Sequence, residues 1–156
     1  IAAEGGIAAV LAAMGAHGSH AGVQEQGCWA LKNLAVNDDN KAQIAAEGGI
    51  AAVLAAMRAH GSHAGVQEQG CAALNNLAFN NVDNKARIAA EGGIAAVLAA
   101  MGAHNSHAGV QEQGCWALKN LAVNDDNQAQ IAAEGGIAAV LAAMGAHGSH
   151  AGVQEQ

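Results

Sequence analysis

The stretch Ile44–Met57, IAAEGGIAAVLAAM, decides the fold because it stands at four places in one chain. Its copies begin at Ile1, Ile44, Ile88 and Ile131, spaced by 43, 44 and 43 residues. Self-similarity at a fixed period of roughly 20–50 residues marks a repeat architecture, in which one unit cannot bury its apolar face and stacks on the next. Within the stretch, Ile50, Val53, Leu54 and Met57 recur at i, i+3, i+4 and i+7, one apolar face of a helix.

Two further helices complete the repeat. Upstream, DDNKAQIAAEG from Asp38 predicts a short first helix, with Asp39 or Asn40 as its cap, Gly48 as its stop and Gly49 as a free turn. Downstream, a third helix is predicted from Ser62, the candidate cap, to Asn80. In the first copy of that helix, at 100° per residue from Val23, the residues Gly27, Ala30, Leu31 and Leu34 lie within about 80°. This is the predicted core stripe, with Gly27 small where a neighbouring helix comes close. Trp29 and Asn33 fall on the other side, at about 240° and 280°, with Gln26 beside them. The copy from Ile88 differs from the copy from Ile1 only at Asn105 for Gly18 and Gln128 for Lys41. The middle copy carries one extra residue, in NNVDN where its neighbours read NDDN, and this marks a surface loop.

Composition narrows the function. The 156 residues are 52% hydrophobic but only 2% aromatic and 12% charged, so the surface is unusually neutral. A net charge of −7 argues against a nucleic-acid partner, which calls for a basic stripe. No apolar run approaches membrane-span length without interruption, so no membrane partner is expected. Cys28, Cys71 and Cys115 recur once per repeat inside apolar runs and read as buried, reduced thiols. With no signal-peptide pattern at the opening residues, an intracellular setting, cytoplasmic or nuclear, is the expectation.

The run DNKAQIAAEGGIAAVLAAM, followed by VQEQGCWALKNLAVN, resembles an armadillo repeat, and the resemblance extends over essentially all 156 residues. It implies an all-α, right-handed solenoid of three-helix repeats with a period of 43–44 residues. The expected division is a partial repeat over 1–43, full repeats over 44–87 and 88–130, and a truncated one over 131–156. The usual proline near the second helix is replaced here by EGG. In armadillo chains the third helices line a concave face. In importin-alpha-like members, asparagines there bond the backbone of an extended peptide and tryptophans wall its side chains. The resemblance therefore implies a non-enzymatic scaffold for protein or extended-peptide partners. Its groove would comprise Gln26, Trp29 and Asn33, then Gln69, Ala72 and Asn76, then Gln113, Trp116 and Asn120. The structural alternatives are that Trp29 packs on a neighbouring repeat and that Asn33 satisfies backbone groups. The alternative function is a solenoid piece, or a consensus-type repeat, that associates end to end.

Other candidates for chemistry are weaker. The eight histidines all stand in AHxSH pairs: His17/His20, His60/His63, His104/His107 and His147/His150. Two imidazoles fall short of the four ligands that zinc takes, or three with water, so these segments read as solvated loops with no metal site. Asp38, Asp39 and Asn40 read as caps, not as a calcium loop, because the central glycine and distal glutamate are missing. No nucleophile stands with a base and an orienting partner, so neither an enzyme nor a cofactor is expected. The end faces are expected to expose Ile1, Ile7, Val10 and Leu11 at one end and Ile137, Val140, Leu141 and Met144 at the other. They are cut from one repeat and are complementary, so head-to-tail homo-oligomers are expected.

Overall fold

The computed structural model describes residues 5–148. Among them lie ten α-helices and no strand. They are α1 (Gly6–Ala16), α2 (Ala21–Leu34), α3 (Asp38–Ala46), α4 (Gly49–Ala59), α5 (Ala64–Ala78), α6 (Val82–Ala90), α7 (Gly93–Ala103), α8 (Ala108–Leu121), α9 (Asp125–Ala133) and α10 (Gly136–Ala146). The order is the one the repeat implies: a nine-residue first helix, an eleven-residue second and a third of 14 or 15 residues. The chain is an all-α solenoid. None of the described helices is by itself long and apolar enough to cross a membrane.

The two glycines of EGG do different work. Gly48 adopts φ +84°, the left-handed conformation that ends α3 and starts α4, which a side chain would strain. Gly49 is no free turn. It is the first residue of α4 and is buried, and a Cβ there would clash with Ile44 Cγ2 and stand 2.8 Å from the Ile44 carbonyl oxygen. That contact lets the chain turn sharply between first and second helices, by 69° between α6 and α7 and 72° between α9 and α10.

The caps differ from the sequence reading. Asn37, Asn81 and Asn124 cap the first helices, each accepting from the backbone N–H three residues on. Asp38 and Asp39 lie instead in the first turn of α3, where they favour the positive end of the helix. His63, not Ser62, caps α5, and that helix ends at Ala78. Asn80, in the loop with the inserted residue, is exposed at φ +52°, a conformation asparagine tolerates better than most residues.

The core stripe lies where the periodicity puts it. Val66, Gly70, Ala73, Leu74 and Leu77 are all buried, as are Val110, Gly114, Ala117, Leu118 and Leu121. In α2 only Gly27 and Leu31 of the stripe are buried, while Val23, Ala30 and Leu34 are half-buried. A Cβ at Gly27, Gly70 or Gly114 would clash with Cγ of Met14, Met57 or Met101, so the second helix packs directly on that glycine. The second-helix face Ile50, Val53, Leu54 and Met57 is buried too. Ile7 is fully buried rather than exposed, because its own repeat covers it, while Val10 and Leu11 are half-buried. Ile137 and Leu141 are each 64% exposed, and Val140 and Met144 half-buried. Ile1 lies outside the described residues.

Pattern reading missed a buried polar clamp. Gln24, Gln67 and Gln111 are only 2–3% exposed. Gln67 Nε2 donates to the carbonyls of Met57 and His60, both at 2.9 Å. Gln24 does the same to Met14 and His17, and Gln111 to Met101 and His104. These carbonyls close the C-terminal end of the second helix, where the helix cannot satisfy all its own acceptors. One glutamine thus ties the second helix to the third. Replacing Gln67 by Met keeps much of the volume and removes both donors. The expected loss of stability is about 1–3 kcal/mol, the cost of a buried group left unsatisfied, read as a lower urea midpoint at unchanged slope.

All three cysteines are free and buried. Burial pushes the Cys28 and Cys71 thiols from 9.0 up to about 12, and raises that of Cys115. A thiol whose pKa is raised in the fold supports folding fully below 9.0, and that support is lost as pH rises from 9.0 to about 12. The urea midpoint is therefore expected to fall across that window, and to fall less in the Cys28→Ala/Cys71→Ala variant.

Candidate functional site

The third helices α2, α5 and α8 pack side by side, α5 lying between the other two. Their N-termini are fastened from repeat to repeat by residues that the sequence pattern presents as loop. His20, His63 and His107 cap them, each accepting through Nδ1 from the N–H of Val23, Val66 or Val110 at 3.3 Å. The carboxylate of Glu25 lies 3.9 Å from His63 Nδ1, and that of Glu68 lies 3.8 Å from His107 Nδ1. Gly65 and Gly109 leave the room: a Cβ there would meet Glu25 Oε2 at 2.5 Å or Glu68 Oε2 within hard contact. Each carboxylate thus sits over the positive end of the next third helix.

In the second, third and fourth pairs the first histidine reaches back one repeat. His60 Nε2 lies 2.7 Å from the Gly18 carbonyl, His104 Nε2 2.7 Å from that of Gly61, and His147 Nε2 2.8 Å from that of Asn105. A carbonyl only accepts, so each imidazole donates through Nε2. Among the described residues, His20, His63 and His107 are therefore caps and His60, His104 and His147 inter-repeat ties, so these segments are not merely solvated loops. Among the described residues, no three of His, Cys, Asp and Glu group together as metal ligands do.

The opposite stripe of the third helices carries the residues proposed for a groove. Trp29 is 49% exposed. It borders a notch of about 260 Å³ with Glu25, Gln26 and Gln69. Gln69 Oε1 accepts from Lys32 Nζ at 3.1 Å, which draws that lysine away from the tryptophan. Trp116 is half-buried, and Lys119 Nζ stands 4.4 Å from its ring centroid, so an internal cation covers this ring. The two tryptophans, identical in local sequence, thus differ in availability. Ala72 offers no surface at all at 4% exposure, because its methyl is short and α2 and α8 flank it. Gln69 and Gln113 are half-buried, and Gln26 and Asn33 are exposed.

The asparagines serve partly as repeat-to-repeat bonds. Asn76 Nδ2 donates to the Lys32 carbonyl at 2.9 Å, and Asn120 Nδ2 to Asn75 Oδ1 at 2.5 Å. Each therefore commits an amide hydrogen to the neighbouring third helix. Asn33 keeps its amide on the exposed surface of α2. Of the nine residues, the fold brings Gln26, Trp29 and Gln69 around one notch. It removes Ala72 and partly occupies Asn76, Asn120 and Trp116.

A helical triplet repeated at this period, stacked through its third helices, is the armadillo arrangement, and the sequence of residues 6–156 matches the LRRK2 ARM repeat family. The chain belongs to that family. No curated protein matches it significantly. The family covers all ten helices, so the notch at Trp29 and the covered ring of Trp116 are variations within one armadillo array. Acrylamide distinguishes them. Trp116→Phe, which leaves Trp29, is expected to give a clearly steeper quenching slope than Trp29→Phe, which leaves Trp116; equal slopes contradict the difference.

Proposed function

We propose that this armadillo chain is a non-enzymatic scaffold that takes extended polypeptide segments of protein partners along the outer stripe of its third helices. One observation carries the reading. Trp29 stands 49% exposed beside the polar notch of Glu25, Gln26 and Gln69, on a helix whose other face is engaged in packing. An indole in the open supplies a rigid apolar plate, and the amides beside it supply both donors and acceptors, which suits a strand-like backbone. The reading asks for no covalent chemistry. Burial holds the thiols protonated, and Glu25 and Glu68 face helix N-termini.

Fluorescence titration with a panel of extended peptides of both charge signs tests it. Trp29→Ala is expected to weaken the best binder by about thirtyfold, the loss of a central aromatic anchor worth ~2 kcal/mol. Its unfolding midpoint is expected to stay unchanged, since the side chain is half in solvent. Binding that is indifferent to Trp29, or no binder in the panel, overturns the reading.

A further inference from the structure

The residue that follows NLA at the end of each third helix is apolar and exposed: Val36 at 73%, Phe79 at 51% and Val123 at 69%. The third helices pack side by side, so these residues follow one another along the edge formed by their C-terminal ends. Val36 stays exposed although α5 flanks α2, so the exposure belongs to the repeat and not to its place in the stack. The middle copy widens the row. Counted from the caps Asn37 and Asn81, Val82 stands where α3 has Asp38, and it is 70% exposed. Phe79 and Val82 together enlarge the apolar surface at the centre of the edge.

Carboxylates flank the row. Asp38, Asp39, Asp83, Asp125 and Asp126 lie in the first turns of α3, α6 and α9, and all are exposed. Asp38 is paired with Lys41 at 2.8 Å. The other four face no cation within ion-pair distance among the described residues. The lysines of these helices, Lys41 and Lys85, are buried at 3% and 7% exposure, and Lys41 Nζ is held by the Phe79 carbonyl and ring. The edge therefore shows solvent a line of apolar side chains bordered by negative charge.

We propose that this edge docks a basic amphipathic helix of a partner protein. The helix lies across the repeats, its apolar stripe on Val36, Phe79, Val82 and Val123 and its lysines or arginines toward Asp39, Asp83, Asp125 and Asp126. The period selects a helix. Packed helices stand roughly 8–10 Å apart, and that is the step from one rung of the edge to the next. A helix returns the same face every seven residues, at about 10.5 Å. A strand returns its face every two residues, at about 6.6 Å, and misses the next rung. Charge selects the flank, because cations there meet four carboxylates that the fold leaves unmatched. This edge is distinct from the stripe of Trp29 that suits extended segments, so either surface can act without the other.

Anisotropy of a labelled peptide added to the full chain tests the proposal. The peptide has about 15 residues, with leucine at i, i+4, i+7, i+11 and i+14 and lysine on the flanks. Expected are binding with a gain of peptide helicity, a weakening of about tenfold for Val36→Ser and for Val82→Ser, and no change for Trp29→Ala. Val36 and Val82 stand largely in solvent, so both variants are expected to keep the helicity of the original chain. The same peptide with glutamate for lysine is expected not to bind, and equal binding by it overturns the proposal. Equal binding by the lysine peptide with a proline at its centre overturns the helix and makes an extended segment the occupant. Binding that Trp29→Ala abolishes and the two valine variants leave intact overturns the edge as the site, as does the absence of any binding.

Discussion

The contact between successive third helices is the constraint on which this molecule depends. A three-helix unit of about 43 residues is too small to enclose its own apolar stripe, so the stripe needs a neighbour. α5 is the only third helix with a described partner on both sides, and it alone buries nine of its residues. α2 and α8 each have one such partner; α2 leaves Val23, Ala30 and Leu34 half-buried, whereas α8, which also packs on α7, α9 and α10, buries its whole stripe. Burial is therefore set by position in the stack and not by sequence, since α2 and α8 read identically.

Polar groups make that stacking specific. An alanine-rich interface has few shape features to set its register, and the register here is fixed by directed bonds. The histidine to the preceding carbonyl, the glutamate over the next helix N-terminus and the asparagine to the neighbouring third helix each bridge one repeat to another. Lys41 adds a bridge, donating to the Phe79 carbonyl at 3.0 Å while its ammonium stands 5.3 Å from the Phe79 ring. Arg58 and Arg87, peculiar to the middle copy, bond the carbonyls of Glu91 and Ala45, linking α4 to the end of α6 and α6 to α3, both at 2.7 Å. Drift in that repeat thus leaves the core stripe alone.

The same stacking decides what is left for partners. Side chains drawn into repeat-to-repeat bonds are withdrawn from any groove, as with Asn76 and Asn120. Lysine choice makes the finer distinction. Lys32 finds Gln69 and leaves Trp29 open, whereas Lys119 settles on Trp116. The surface around Trp29 combines an uncovered ring with a polar notch.

The sequence by itself determined the period, the three helices of each repeat, the buried stripe of the third helix and the close approach at Gly27, because these follow from local spacing and side-chain size. It also determined that the thiols are buried, since Cys28 and its counterparts stand inside apolar runs. Only the tertiary structure decided the roles of Gln24, the AHxSH histidines and Gly49. Their partners lie in the adjoining helix or a whole repeat away, and a polar residue in an apolar stack is legible only once its acceptor is in view. The caps lie elsewhere than the pattern suggests, two or three residues before Asp39 and Asn40 and one after Ser62, for a related reason. Several Asn, Asp, Ser and His neighbours offer suitable acceptors, and backbone geometry selects Asn37 and His63 among them. Tertiary structure likewise separated Trp29 from Trp116. Identical local sequence cannot encode a difference that arises from where a repeat sits in the stack and which neighbour its lysine meets.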